Sequence, residues 1–380
     1  MSACKKCLLP DAIPGSEIDE QGLCRPCREL ATADRAAAER VRKEREEDLA
    51  RALDEARGQG EFDALVCLSG GKDSIALLHR LKHELGLRVL AFTVDMNVPP
   101  VAWQNIERTI AKLDVPHVVY TPSAAFYTKL YRFLLKNQES RGAVRSVCYV
   151  CAPLFEGYAL KLAVEKKIPL VLAGYSPGQP DPRRMVYEFP RRAISEVDWT
   201  PAEVRESGLF SEEELGLFWN PAHYPEGTRF PRYLAPFHAW PYDQSENMRR
   251  VVELGLVAKA RHANPIHSNC PLNWLLMYSD LKNLGYNPYV PEFASLIREG
   301  KASRSYWKLM LPVVNFMIRA KVGLGKNVRI HMDRLGLTAE DLVIRREPRP
   351  DWPAHVLEPA HDPEPARALE LAHALDPVRD

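Results

Sequence analysis

Residues 68–74 read Leu68-Ser69-Gly70-Gly71-Lys72-Asp73-Ser74. The apolar run Phe62-Asp63-Ala64-Leu65-Val66-Cys67 precedes them, and Ile75-Ala76-Leu77-Leu78-His79-Arg80-Leu81 follows. That order predicts a buried strand, a two-glycine turn and the first turn of an amphipathic helix. Such a turn aims unpaired backbone N–H groups and the positive end of a helix dipole at one point, which suits a phosphate chain. The glycines permit left-handed φ and close approach of backbone to an oxyanion. Ser69 and Ser74 add hydroxyl donors, Lys72 adds positive charge, and Asp73 offers a carboxylate to hold Mg²⁺ or to orient the turn. The spacing is not that of the Walker loop, which needs four residues between Gly and Gly-Lys-Ser/Thr.

Working outward, apolar strands alternate with helical stretches from residue 62 to about 175. Segments 62–68, 88–94, 117–120 and 168–173 read as strands, and 73–85, 101–113 and 153–166 as helices. The alternation predicts an α/β fold with a doubly wound parallel sheet. Ligands bind at the carboxyl ends of such strands. Asp95, in Thr93-Val94-Asp95-Met96-Asn97, and Gly174, in Leu172-Ala173-Gly174-Tyr175-Ser176, stand at two of those ends. The bland reading of Asp95 is a cap for the following turn.

The chain divides into a cysteine-bearing module at 1–29, a linker helix at 30–60, an α/β unit carrying the phosphate turn at 61–180, a helical and loop-rich region expected to face substrate at 181–345, and a tail at 346–380 with seven prolines. The Ala-, Arg- and Glu-rich linker reads as a solvated helix. Segment 176–245, rich in Pro and aromatics, reads as a substrate-facing insertion. At 46% apolar and 27% charged residues, the composition is that of a soluble globular protein. No apolar run approaches a membrane span and no signal peptide is expected, so the expectation is a cytoplasmic protein without a membrane. A net charge of +1 gives no global pull toward nucleic acid, and little salt dependence is expected.

Eight cysteines in such a chain argue for metal or redox chemistry rather than disulfides. Cys4-x2-Cys7 and Cys24-x2-Cys27 have the four-thiolate spacing of a closed, structural zinc site, in which Zn²⁺ folds a segment too short to build its own core. Cys148-Tyr149-Val150-Cys151 and the lone Cys270 form a second set. Three thiolates can hold a [4Fe–4S] cluster with one iron left open for hydrosulfide. A second zinc site completed by His238, His262 or His267, a metal-free persulfide relay, and unrelated core cysteines are the competing readings. Cys67 reads as a small core residue.

The phosphate turn resembles the SGGxDS signature of the PP-loop ATP pyrophosphatases, which cleave ATP between its α and β phosphates. Cys4-Lys5-Lys6-Cys7-Leu8-Leu9-Pro10-Asp11 and Ile18 to Cys27 look like the opening of the N-acetyl sugar amidotransferases of lipopolysaccharide synthesis. Weaker likeness to them continues at 233–238, 243–247 and 297–301. The order ribbon, PP-loop, Cys-x2-Cys, lone Cys is similar to the iron–sulfur tRNA thiolation enzymes, the 2-thiocytidine and 2-thiouridine synthases. The resemblance implies nucleotide contacts from Ser69 to Ser74, Asp95 and Gly174, with Lys72, Asp73 and the Cys148, Cys151, Cys270 set in the chemistry. It implies AMP-forming adenylation of an acceptor carbonyl, with Mg²⁺ and Lys72 stabilising the leaving pyrophosphate. Sulfur from a donor would then be placed on a tRNA or small-molecule acceptor. The alternative is ammonia from a partner glutaminase, placed on a sugar nucleotide. A homodimer is common among similar enzymes. Many thiolation enzymes follow the fourth strand with His-Asn and two acids; here Tyr175 to Asp181 stands instead, and Asp181 receives no firm role.

Overall fold

The apolar run at 64–67 forms the central strand of a five-stranded sheet, with two strands on either side of it. A computed structural model describes residues 2–32, 35–177, 186–263, 270, 272–300 and 302–347. Asp181, His267 and most of the Pro-rich tail lie outside the described residues. The strands are β1 (Ala64–Cys67), β2 (Val89–Val94), β3 (His117–Tyr120), β4 (Gln138–Glu139), β5 (Leu170–Ala173), β6 (Arg232–Leu234) and β7 (Ile344–Arg346). The main sheet has the order β3-β2-β1-β5-β6 with every pairing parallel. β4 and β7 make a separate two-stranded ladder.

Side-chain alternation explains the two faces. Leu65, Leu90, Phe92 and Val171 point into a core shared with the helices Ala124–Lys136, Ala143–Glu165 and Asn273–Asn283. Ala64, Val66, Val89, Ala91 and Leu172 point into the opposite core, closed by Arg35–Ala56, Lys72–His79 and Pro100–Leu113. A sheet covered on both faces needs apolar residues at both parities, so its strands read as continuous apolar runs. The strand order reverses at β1, whose neighbours are β2 and β5, and the crevice outside their carboxyl ends is the expected ligand position.

Four sequence expectations change. The linker helix, Arg35–Ala56, is half buried: Leu49, Ala52, Leu53 and Ala56 enter the core. Segment 176–245, expected as a substrate-facing insertion, folds as short helices and loops that pack into the core where it is described, with Trp199, Trp219, Phe218 and Tyr233 fully buried. Both indoles donate to backbone carbonyls, of Ala193 and Ile194, each at 2.8 Å. The same region supplies β6, whose three residues give no periodic signal. Finally, the helix expected at 153–166 begins ten residues earlier and runs Ala143–Glu165 through Pro153. Its length and mean hydropathy of 1.4 would suit a membrane span, yet most of it is packed inside the core.

Candidate nucleotide and sulfur site

The turn after β1 is held by its own side chains. Gly70 has φ +76°, while Gly71 has φ −82°, so only the first glycine occupies the left-handed region. A Cβ on Gly70 would stand 2.4 Å from the Ala102 carbonyl oxygen. Ser69 N–H donates to Ser74 Oγ at 3.2 Å, and Ser74 Oγ donates to the Gly71 carbonyl at 3.0 Å. The helix Lys72–His79 starts at Gly71 with no side-chain cap, which leaves its first-turn N–H groups directed into the crevice. Asn105 Nδ2 donates to the carbonyls of Gly70 at 3.1 Å and His262 at 3.2 Å, tying the turn to the segment behind it.

Lys72 is only 7% exposed, and its Nζ lies 2.7 Å from Asp73 Oδ2. Asp73 Oδ1 accepts from Tyr242 Oη at 3.1 Å and from Asn247 Nδ2 at 3.2 Å. Both carboxylate oxygens are therefore engaged, and Asp73 orients the turn. Tyr242 and Asn247 come from the segment at 242–247 and were not singled out from the sequence. Gly174 approaches the turn from behind: a Cβ there would meet Ser74 N at 2.8 Å and Ser74 Cα at 2.9 Å. The turn's backbone leaves no room for a side chain here.

Asp95 follows β2 and accepts from Val98 N–H at 3.1 Å, which is the capping role. It also lines a cavity of about 170 Å³ with Met96, Tyr127, Tyr131, His331 and Arg334. Asn97, oriented with its amide oxygen toward Arg334, accepts from Nη2 at 2.9 Å. Tyr131 joins this cavity to the second cysteine set: its hydroxyl and the Cys151 thiol are hydrogen-bonded at 3.3 Å. Burial raises the Tyr131 phenol well above its ordinary value, and Cys151 and Cys270 add to the rise. Burial likewise raises Tyr289, with Cys148 and Cys270 contributing. Of the three thiols, Cys151 touches a phenol directly, and Cys148 and Cys270 act on the two phenols through their charge. Cys151 is buried, Cys148 half-buried and Cys270 exposed.

Glu292, three residues beyond Tyr289, faces the phosphate turn. Burial pushes its carboxyl up to about 7; Lys72 opposes the rise and Asp73 adds to it. No sequence pattern marks it, because its place depends on how the helix Val290–Arg298 packs. His238 is buried within a short turn at Pro236–His238, and His262 lies behind the phosphate loop.

At the N-terminus the four thiols of Cys4, Cys7, Cys24 and Cys27 lie within 4.8 Å of one another, all buried. Cys4 and Cys27 sulfurs are 3.7 Å apart, those of Cys7 and Cys24 3.5 Å. Tetrahedral Zn–S bonds of about 2.3 Å would separate sulfurs by about 3.8 Å, so the donor set fits zinc. Hydrogen bonds from Cys24 and Cys27 pull the Cys7 thiol down to about 2, with Arg298 adding to the fall. Arg298 Nη1 donates to Cys7 Sγ at 3.5 Å, docking the ribbon on the helix that carries Glu292. Cys67 is a core residue as expected, its thiol pushed up to about 12 by burial.

No family model matches the chain. A probable sulfurtransferase of Methanocaldococcus jannaschii is 32% identical over 112 residues, 27% of this chain and 32% of that protein. A tRNA-cytidine(32) 2-sulfurtransferase of Paracoccus denitrificans is 31% identical over 116 residues, covering 29% and 36% of the two chains. The chain therefore spans about a third of the length of the curated relatives it matches. The U34-tRNA thiolase NcsA from Methanococcus maripaludis, solved with its [4Fe–4S] cluster, aligns over 88% of this chain and 89% of that one, at 12% identity and a TM-score of 0.35. In its fold and phosphate turn the chain resembles the PP-loop ATP pyrophosphatases. The relatives are sulfur-transferring enzymes, and they lend the sugar amidotransferase alternative no support.

Proposed function

We propose that the protein is an ATP-dependent, AMP-forming transferase that activates an acceptor carbonyl at the Ser69–Ser74 turn. Sulfur is then placed on that carbon from the Cys148, Cys151 and Cys270 site. One observation carries this reading. The segment Tyr289–Glu292 lies within electrostatic reach of both the phosphate turn and two of the thiols: Cys148 and Cys270 raise the Tyr289 phenol, and Lys72 and Asp73 act on the Glu292 carboxyl. The likeness to sulfur-transferring relatives favours sulfur over ammonia, and makes a pyrimidine carbonyl of tRNA the first candidate acceptor.

The chemistry divides into two displacements. The carbonyl oxygen attacks the α-phosphorus, the bond to the bridging oxygen breaks, and pyrophosphate leaves with the electron pair. First-turn N–H groups and Lys72 bind the charge that grows on the leaving phosphates, which is electrostatic catalysis by donors already in place. Asp73, held by Tyr242 and Asn247, keeps the lysine at that position. Magnesium enters as the counter-ion of the nucleotide's phosphates. Hydrosulfide next adds to the activated carbon, AMP departs with the former carbonyl oxygen and the electron pair of the broken C–O bond, and loss of the S–H proton leaves a thiocarbonyl.

Cys148, Cys151 and Cys270 would hold a [4Fe–4S] cluster, which supplies an iron with no protein ligand as a seat for the incoming sulfur. Tyr131 would orient the Cys151 sulfur from the wall of the cavity at Asp95. Zn²⁺ in the Cys4, Cys7, Cys24, Cys27 site would supply folding energy and no chemistry, since four protein ligands leave no open position.

Anaerobically prepared Cys270→Ser, mixed with MgATP and unthiolated tRNA, tests the division of labour. About one pyrophosphate per chain with no thionucleoside supports it. Thionucleoside formation at the unsubstituted protein's rate overturns it.

A further inference from the structure

The net charge of +1 conceals a strongly one-sided segment. Between Glu299 and Asp333 the chain carries seven Lys or Arg and no Asp or Glu. Six of them, Arg304, Lys308, Arg319, Lys321, Lys326 and Arg329, are described, and none of these six is in an ion pair among the described residues. Arg319 donates to the Leu281 carbonyl, Lys321 lies over the Tyr278 ring and Arg304 Nε is buried, which leaves Lys308, Lys326 and Arg329 as the fully solvent-facing cations. Elsewhere the arginines of this protein are routinely paired, as Arg42, Arg88, Arg232 and Arg249 are.

The same segment holds the apolar anomaly. Of the ten large hydrophobic side chains exposed among the described residues, seven lie between Tyr306 and Ile330. On the helix Arg304–Ala320, Tyr306, Leu309, Val313 and Phe316 follow one another at intervals of three and four, and so form one stripe. Leu309 is 70% exposed and Phe316 65%. Val322, Leu324 and Ile330 extend the patch onto the following turn and the helix Lys326–Leu335. The stripe is not a loosely attached helix. Its opposite side is anchored by Trp307, stacked on Phe293 at 3.8 Å, and by the fully buried Ile318.

Contiguous exposed apolar surface marks an interaction site, and the charge pattern selects its occupant. A second copy of this chain would bring the same unpaired cations against themselves. An RNA backbone would satisfy the cations but leave Leu309, Val313 and Ile330 in water. A surface that is uniformly anionic outside and apolar beneath satisfies both, as for interfacial amphipathic helices with basic flanks. We infer that the face formed by the helices Arg304–Ala320 and Lys326–Leu335 docks the protein on an anionic lipid bilayer, the apolar stripe entering the acyl boundary and the flanking lysines and arginines meeting the headgroups. Nothing in this docking depends on the reaction proposed above.

Flotation with vesicles of phosphatidylcholine alone, or with about a third phosphatidylglycerol, tests it. The full chain partitions at least about tenfold more strongly onto the anionic vesicles. Both L309D/F316D and K326E/R329E lose that preference, while their melting temperatures stay at the unsubstituted value because all four side chains face solvent. Three results overturn the assignment. One is equal partition onto the two vesicles, or none onto either. Another is tRNA binding that K326E/R329E removes in a protein that ignores vesicles. The third is concentration-dependent self-association that L309D/F316D abolishes.

Discussion

Alanine at Gly174 should damage nucleotide binding without touching a nucleotide. Its Cβ would lie 2.8 Å from Ser74 N, 2.9 Å from Ser74 Cα and 3.0 Å from the Asp73 carbonyl carbon. Comfortable contact between such atoms begins near 3.5 Å. The first turn of the helix Lys72–His79 must therefore retreat by roughly 0.5–0.7 Å, carrying Lys72 and the phosphate-facing N–H groups with it. The contacts are all with backbone, so no side-chain rotation relieves them. Overpacking of this kind costs about 1–3 kcal/mol of stability, and a misplacement approaching 1 Å costs up to about 100-fold in catalysis. Calorimetric titration with MgATP is expected to show affinity weakened by at least about tenfold, with a thermal melt lowered by a few degrees. Gly86→Ala is the control: φ there is +65° with nothing within 4 Å, so it pays only backbone strain of about 1–2 kcal/mol and keeps full ATP affinity. If Gly174→Ala binds ATP as tightly as the unsubstituted chain, the turn is not fixed from behind as described.

Elemental analysis should find one zinc per chain at the N-terminal thiols, lost in Cys24→Ser. That variant should become protease-sensitive within residues 2–32 while the sheet still melts cooperatively, since the ribbon's small core, completed by Ala294 and Ile297, is separate from the two cores that cover the sheet. Asp280 accepts from the backbone N–H groups of Ala143 and Val144 at the start of the helix that carries Cys148 and Cys151. Burial pushes its carboxyl up to about 7 from 3.8. A raised folded-state value adds stability below about pH 4 that is lost as the pH climbs to about 7, a fall of roughly 2–4 kcal/mol. Denaturant unfolding across that range should show the slope, and Asp280→Asn should flatten it; an unchanged slope would refute the assignment.

The sheet, its order of elements and the N-terminal thiol cluster were legible because each rests on local chemistry. Strands covered on both faces must be apolar throughout, a phosphate turn needs glycine at a left-handed position, and paired Cys-x2-Cys knuckles suit one centre. What escaped is what depends on distant packing. β6 is three residues long and pairs with β5 only because the aromatic segment around Trp199 and Trp219 folds back over the core. Tyr242, Asn247 and Glu292 reach the phosphate turn from more than 160 residues away. The basic and apolar face was hidden differently: averaging charge over 380 residues cancels a cluster that one pair of helices displays together. Asp95 shows the converse, a candidate correctly placed at a strand end whose visible bond is a turn cap.

The claim on which the mechanism depends is that the turn after β1 grips ATP so that the bond between its α and β phosphates breaks. Nucleotide labelled in the α-phosphate, incubated anaerobically with the protein, sulfide and unthiolated tRNA, should yield labelled AMP and an equal amount of inorganic pyrophosphate. Labelled ADP with orthophosphate would contradict it.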